Sequence, residues 1–369
     1  MIYLDYNATA PVRPEVIEAV RAAMSGPGNA SSVHGAGRQA RRAIEAAREA
    51  VAALAGAGAD AVVFTSGGTE ANNQAIGSVG GTVLVSSIEH ESVLAAAGDA
   101  PRIAVDGQGR IDLAALEEQL RTLRPALISI MLANNETGVI QPVAEAAGMA
   151  RRHGALSHCD AVQAAGKLDL DMTRLGVDLL SLSAHKLGGP QGVGALVLGP
   201  GIEPRALLRG GGQERRRRPG TENLPGIVGF GRAAELALAD RSWRARVGML
   251  RERMEAEILA LAPSARIFGR EASRLPNTSC LAMPGVSNET QLIAFDLEGI
   301  AVSTGSACSS GKVGPSHVLS AMGVAPEEAA CAIRVSLGWA SGEDDIGRFV
   351  GVWGRLLSRA GRAAAPLPA

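Results

Sequence analysis

The chain has 369 residues, 46% of them hydrophobic and 20% charged, and its formal net charge is -1. That size and composition fit a globular protein of two domains, or of one large domain with an appendage, and give no reason to expect nucleic acid or an anionic membrane as a general partner. The opening MIYLDYNATAP lacks the basic and apolar regions of a signal peptide, and no apolar run approaches the roughly 18–20 residues of a membrane span, so a cytoplasmic protein is expected.

Along the chain, GRQARRAIEAAREAVAAL at 37–54 repeats its apolar positions at helical spacing, and Gly56 and Gly58 supply a stop. Short apolar runs then alternate with helical stretches. VVFT (62–65) precedes GGTEANNQAI, TVLVSS (82–87) precedes EHESVLAAA, and ALISIML (126–132) precedes a turn and a helix near 143–152. ALSHCD (155–160), DLLSLS (178–183) and GALVLG (194–199) complete the set. Continuous apolar runs joined by helical crossovers predict a mostly parallel sheet covered on both faces, with ligands outside the carboxyl ends of its strands. Polar residues gather at five of those ends, at 66–69, 89–90, 134–135, 160–163 and 183–186, which points to one site along one rim. A helical region at about 226–261 follows. SARIFG, SCLAMPG and LIAFDLEGIAVST then read as strands and a helix of a smaller α+β domain that also recruits the N-terminal segment. The expected division is 14–255 for the large domain, and 1–13 with 256–369 for the small one. The Ala/Pro-rich tail AGRAAAPLPA is expected to fray.

Three motifs carry candidate chemistry. In SLSAHKLGGPQG, Lys186 alone reads most simply as a surface lysine at a strand end, but a lysine near a cationic or apolar site can form a Schiff base with an aldehyde cofactor. In SHCDAVQAAGK, Asp160 reads either as a helix N-cap or as the partner of a pyridinium nitrogen, the arrangement expected for pyridoxal phosphate (PLP), with Gln163 one helical turn on. In FTSGGTEANN, a strand runs through Gly67, Gly68 and Thr69 into a helix start, which is either a capping box or a phosphate cradle. His90, in SSIEHESVL, is either a polar rim residue or a ring stacked on a flat cofactor.

Taken in order, FTSGGTEANN, IEHESV, ANNETGVIQP, CDAVQAAGK, SLSAHKLGGPQGVGAL, GGGQERRRRPGTEN, SACSSG and IRVSLG resemble the cysteine desulfurases of the NifS/IscS branch. YLDYNATAPVRP and GNASSVHGAGR also fit, so the resemblance covers nearly the whole chain. It implies the α/β, PLP-dependent aminotransferase fold type I: a large domain with a mostly parallel seven-stranded sheet, and a smaller α+β domain. It further implies that Lys186 is the Schiff-base lysine and that His90 stacks on the ring and shuttles protons. Asp160 contacts the ring nitrogen and Gln163 the phenolic oxygen. Gly68, Thr69, Ser183 and His185 hold the phosphate, and Thr221 reaches the phosphate of a neighbouring subunit in a homodimer. Asn135 and Arg334 bind the substrate carboxylate. Lys186 acts as base on L-cysteine, Cys308 takes the sulfur as a persulfide, and alanine leaves. A flexible loop then delivers sulfur to an acceptor protein, for example an iron–sulfur scaffold. The other cysteines read as structural: Cys159 points to the opposite strand face from Asp160, and Cys280 and Cys331 lie in apolar contexts.

Two positions depart from the family pattern GGGxERGxRSGT: Arg216 stands where it has glycine and Pro219 where it has serine. The resulting arginine run, 215–218, is either a solvated face or a basic rim that attracts an acidic partner or the cofactor phosphate. Competing readings are another PLP enzyme of this fold, such as an aminotransferase or selenocysteine lyase, and a partner-binding protein that kept the fold without the chemistry.

Overall fold

The computed structural model describes residues 1–305 and 316–363, with side chains to residue 359; Cys308 and residues 364–369 of the tail expected to fray lie outside the described residues, while 360–363 end the helix Glu343–Ala363. The strands in chain order are β1 (Ile2–Tyr3), β2 (Val62–Thr65), β3 (Val83–Ser86), β4 (Arg102–Ile103), β5 (Leu127–Ser129), β6 (Leu156–Asp160), β7 (Leu179–Ser183), β8 (Gly194–Leu198), β9 (Arg266–Ile267), β10 (Thr278–Ala282), β11 (Ile300–Ala301) and β12 (Ala332–Ser336). Seven of them form one sheet in the order β2-β8-β7-β6-β5-β3-β4. Only β8 runs against its neighbours, β2 and β7.

The pleat explains why these strands read as unbroken apolar runs. Successive side chains point to opposite faces, and both faces are covered. Ile128, Leu180 and Val197 enter one core, while their neighbours Leu127, Leu179, Leu196 and Leu198 enter the other. The first core lies under the helices Gly35–Ala55 and Leu224–Ala239, the second under Gly68–Gly77 and Glu91–Ala97. Helix Gly35–Ala55 begins where His34 accepts a bond from the Gly37 amide, and it ends at Gly56, whose φ of 67° suits only glycine without strain. With few aromatics available, small residues set the packing: a Cβ on Gly231 would lie 2.6 Å from Ala47.

Beyond residue 240 a second unit forms. Its antiparallel sheet has the order β12-β10-β9, and Phe295 stacks on Phe349 with ring centroids 4.8 Å apart in its core. β1 pairs in parallel with β11, so the N-terminal segment joins this unit. The helical region read as continuous at about 226–261 is two helices, Leu224–Ala239 and Ser242–Leu261, because Asp240 turns its carboxylate onto the Ser242 amide and hydroxyl. The expected boundary at residue 255 falls inside the second helix. Val247, Leu250, Met254 and Ile258 of that helix all lie in the second core, and we propose the boundary at the Asp240 turn instead. The pattern also missed β4 and the helix Leu113–Leu123; a two-residue edge strand carries no periodicity to read.

His158 ties the centre of the sheet together. From β6 it bonds Ser129 on β5 at 2.8 Å and Ser181 on β7 at 2.9 Å. Burial holds its pKa down at about 4, only partly offset by Asp160. The unfolded imidazole takes up a proton near pH 6.5, whereas the folded one resists until about pH 4, so its penalty is absent above pH 7 and grows as pH falls between those values. From pH 7 to pH 5 the native state is expected to lose about 2 kcal/mol through this group. In urea titrations at the two pH values, His158→Gln should shrink the difference between midpoints; an unchanged difference would reject this assignment.

Candidate active site

The carboxyl ends of β2, β3, β5, β6 and β7 converge on a cavity of about 310 Å³. Its lining includes Gly68, Thr69, His90, Asn135, Asp160, Gln163, Ser183, His185, Lys186 and Arg334. These are the residues singled out in the sequence, apart from Thr221 and Cys308. Thr221 is exposed and does not line this cavity, and Cys308 lies outside the described residues.

Lys186 follows β7 in a short 3₁₀ turn and donates to the backbone carbonyls of Asn7 at 2.6 Å and Ala8 at 2.8 Å. Asp160 ends β6, where one carboxylate oxygen accepts from Asn72 Nδ2 at 2.8 Å and the other from the Val162 amide at 2.9 Å. The chain continues in turns rather than a helix, so Asp160 is not a helix N-cap and Gln163 does not sit one helical turn beyond it. His90 caps the helix Glu91–Ala97: its Nδ1 accepts from the Ser92 amide at 3.1 Å, which puts the proton of a neutral ring on Nε2.

At the helix Gly68–Gly77 the first backbone bond closes from Ala71 to Gly67, so the amides of Gly68, Thr69 and Glu70 precede the ladder. That arrangement suits an anion. No side chain caps this end through the N-cap residue; Glu70 reaches back to the Ser66 amide at 2.7 Å. A capping box led by Thr69 is therefore not formed. Gly68 is close-packed, since a Cβ there would lie 2.9 Å from Val162 Cγ2. His185 bonds Thr9 at 3.3 Å; burial, then the charges of Lys186 and Lys167, hold its pKa at about 4, so it is a neutral donor or acceptor at physiological pH.

Arg334, almost wholly buried on β12, reaches the Asn135 carbonyl at 3.1 Å and Asp5 at 2.8 Å. Its Nε, with Asn135 Oδ1 and Asn72 Oδ1, is buried without a hydrogen-bond partner among the described residues. Buried polar atoms of this kind are rarely left unmatched, and these three lie on residues that line the cavity. Donor amides at a helix start, a carboxylate, a lysine and a guanidinium fit the phosphate, ring nitrogen, aldehyde and carboxylate chemistry of PLP and an amino acid. Among the described residues no group of histidine, cysteine and carboxylate side chains could hold a metal ion.

Several residues here carried no assigned role in the sequence. Asn7, which lines the cavity, and Lys167, which bonds to Asn7, are both buried. Their letters stand in YLDYNATAP and CDAVQAAGK, but nothing in either motif shows that residues 160 positions apart meet. Glu89 is fully buried, with one oxygen on the Met131 amide at 2.6 Å. Burial, then the charge of Asp160, pushes its carboxyl well above the ordinary range. Glu136 accepts from Ser316 at 2.6 Å, and a Cβ on Gly305 would collide with its carboxylate. Gly305 and Ser316 are the last described residues on either side of Cys308. Cys159 and Cys280 are fully buried, whereas Cys331, expected in an apolar context, is only partly covered and donates to the Glu327 carbonyl at 3.3 Å.

The arginine run is neither a free solvated face nor an unopposed basic rim. Arg215 pairs with Asp60, Arg217 with Glu203 and Arg218 with Glu70. Glu214, at its head, is buried against Arg48 at 2.7 Å and the Phe64 amide at 2.9 Å. Glu214, Arg215 and Arg216 have φ of 45°, 56° and 69°, so three consecutive side-chain-bearing residues are left-handed.

The family model for Aminotransferase class-V matches residues 2–349. A cysteine desulfurase of Cereibacter sphaeroides is 46% identical over 384 residues, spanning all of this chain and 98% of that one. The cysteine desulfurase IscS of Dictyoglomus turgidum is 41% identical over 374 residues, 97% of this chain and 95% of that one. A solved structure of a NifS-like protein from Rickettsia africae superposes with a TM-score of 0.91 at 36% identity, over 97% of this chain and 99% of that one.

Two outcomes follow from these environments. A left-handed residue with a Cβ costs about 1–2 kcal/mol, and part of that is regained when glycine replaces it. Arg216→Gly should therefore raise the melting temperature by about one degree, and a drop would show that the Arg216 side chain holds the loop. Glu89 keeps its proton to higher pH when folded than when unfolded, so it costs more stability as pH rises above the ordinary carboxylate range. The melting temperature of Glu89→Gln relative to wild type should rise as pH is raised from about 4.5 to about 6 in a scanning-calorimetry series; a flat difference would count against a raised Glu89 pKa.

Proposed function

Because the chain belongs to the class-V aminotransferase family, with the α/β fold of that family, we propose that it is a cysteine desulfurase that converts L-cysteine to L-alanine with PLP as cofactor. The observation that carries the proposal is the convergence of Lys186, Asp160, His90, Gln163 and Arg334 on one cavity. When bound there, the cofactor supplies an aldehyde for an amine and an electron sink for the charge left at the substrate Cα.

Each residue has a proposed part in that site. Lys186 is the lysine joined to the cofactor and, once released, the base at the substrate Cα. Asp160, held by Asn72 and the Val162 amide, keeps the ring nitrogen protonated. His90 lies against the ring and holds or passes a proton through Nε2. Gln163 donates to the phenolic oxygen. The early amides of helix Gly68–Gly77, with Thr69, Ser183 and His185, take the phosphate. Arg334, through its unmatched Nε, and Asn135 take the substrate carboxylate. Cys308 receives the sulfur as a persulfide, because a thiolate is the strong nucleophile this step needs. Support for its approach comes from Ser303, two positions before Gly305, whose backbone pairs with that of Arg334 in both directions. We further propose a homodimer in which Thr221 completes the neighbour's phosphate site. Exposed Thr221 and the exposed apolar residues Met24, Val33 and Leu208 support it. The acceptor is a partner protein such as an iron–sulfur scaffold, and the compartment is the cytoplasm; no helix of the described residues is long and apolar enough to cross a membrane.

The reaction is tested by sulfide and alanine formation from L-cysteine with PLP. Lys186→Ala should abolish both products. Cys308→Ala should keep the visible absorbance of the cofactor yet lose sulfide release by about a hundredfold or more. Release at the wild-type rate from the Cys308 variant would sink the proposed sulfur transfer.

A further inference from the structure

Lys167 is a second lysine at the same site, four residues beyond Gln163 and buried to 4% exposure. It does not line the main cavity. Its amine donates to Gln163 Oε1 at 2.7 Å and to Asn7 Oδ1 at 2.8 Å. Burial, then the charges of Lys186 and Arg334, drives its pKa well below that of an ordinary lysine. The other groups around this cluster are neutral: Asn277 Nδ2 donates to Asn7 Oδ1 at 3.1 Å, and Thr278 Oγ1 accepts from Asn7 Nδ2 at 2.9 Å.

These partners decide which way two amides face. Gln163 has the amine of Lys167 at one end and the Asn7 carbonyl at the other, to which its Nε2 donates at 2.9 Å. Turned over, its oxygen would meet a carbonyl and its NH₂ would meet an amine. The oxygen-to-carbonyl contact is repulsive whatever the charge on the amine, so the orientation is set by chemistry. An NH₂ carries two protons, and only one is engaged by Asn7. The other is left for the cavity that Gln163 lines. Asn7 is fixed in the same way. Lys167 and Asn277 hold its oxygen, the Asn135 carbonyl and Thr278 hold its NH₂, and its backbone carbonyl is the one that receives Lys186.

We propose that Lys167 is a positioning residue that locks Gln163 with its N–H toward the cofactor's phenolic oxygen and Asn7 with its carbonyl toward Lys186. The inference rests on the function proposed above. A donor at the phenolic oxygen stabilises its anionic form, so removing Lys167 makes that form harder to reach.

The test is a pH titration of the visible band of the purified holoenzyme. In Lys167→Met, which keeps the length and removes the amine, the midpoint should rise by about one pH unit. The turnover number for cysteine should fall by about tenfold, with less change in KM. Gln163→Met should shift the midpoint in the same direction, and the double variant should shift it no further than the larger single shift, because Lys167 acts through Gln163. An unchanged midpoint in Lys167→Met, or shifts that add in the double variant, would overturn the inference. Gln163→Glu covers the case in which Lys167→Met does not fold. It keeps the bond to Lys167 as an ion pair but offers no N–H, and its midpoint should also rise; an unchanged midpoint would remove the donor role. A wild-type protein that binds no cofactor and shows no visible band would instead refute the proposed function.

Discussion

The site depends on one buried asparagine. Asn7 is fully buried, and every polar group it has is matched. Its side chain holds Lys167, Asn277, Thr278 and Asn135, its amide donates to Ser336 at 3.0 Å, and its carbonyl receives Lys186 and Gln163. Thr278 and Ser336 belong to the second sheet, while Lys186 and Gln163 follow strands of the first. A single side chain too short to flex thereby sets the gap between the two units, and the cavity lies in that gap. A network of this kind is rigid only when complete, since each lost partner leaves a buried group unsatisfied.

Charge around the cavity is arranged with similar economy. Lys186, a guanidinium and a neutral histidine face it together with Asp160, while Lys167 and Glu89 are buried outside its lining. The low dielectric disfavours the charged forms of Glu89, His158 and His185 and also strengthens the fields of the groups that remain charged. Away from the cavity, the loop through Glu214 and Arg216 shows what tertiary support can impose. Arg48 and the Phe64 amide fix its head, three ion pairs fix its length, and left-handed backbone is held at residues that would not choose it.

Much of this was legible in the letters. Period-two burial on both faces makes apolar runs at 62–65, 126–132 and 178–183, and helical spacing marks residues 37–54, so the layered sheet could be drawn from pattern alone. A parallel sheet puts the carboxyl ends of its strands on one side, which is why Asp160 and Lys186, distant in sequence, could be expected at one rim. Local chemistry overrode the pattern where a single side chain could redirect the backbone, as Asp240 does between two helices. Pattern was silent where elements were too short, as in β4.

The sequence by itself determined the class of fold, the rim and the residue types gathered there, because hydrophobic period and strand-end chemistry are local properties. Only the tertiary structure decided that Asn7 and Lys167 meet beside the cavity, that burial disfavours charge on Glu89 and His158, and that three of the four arginines in 215–218 are paired within the chain. Those are consequences of burial and of contacts between residues apart in the chain, in some cases by more than a hundred positions, as for Asn7 with Lys167 and Arg215 with Asp60. Such contacts depend on the distance and dielectric between groups in the folded chain, which the order of residues does not state.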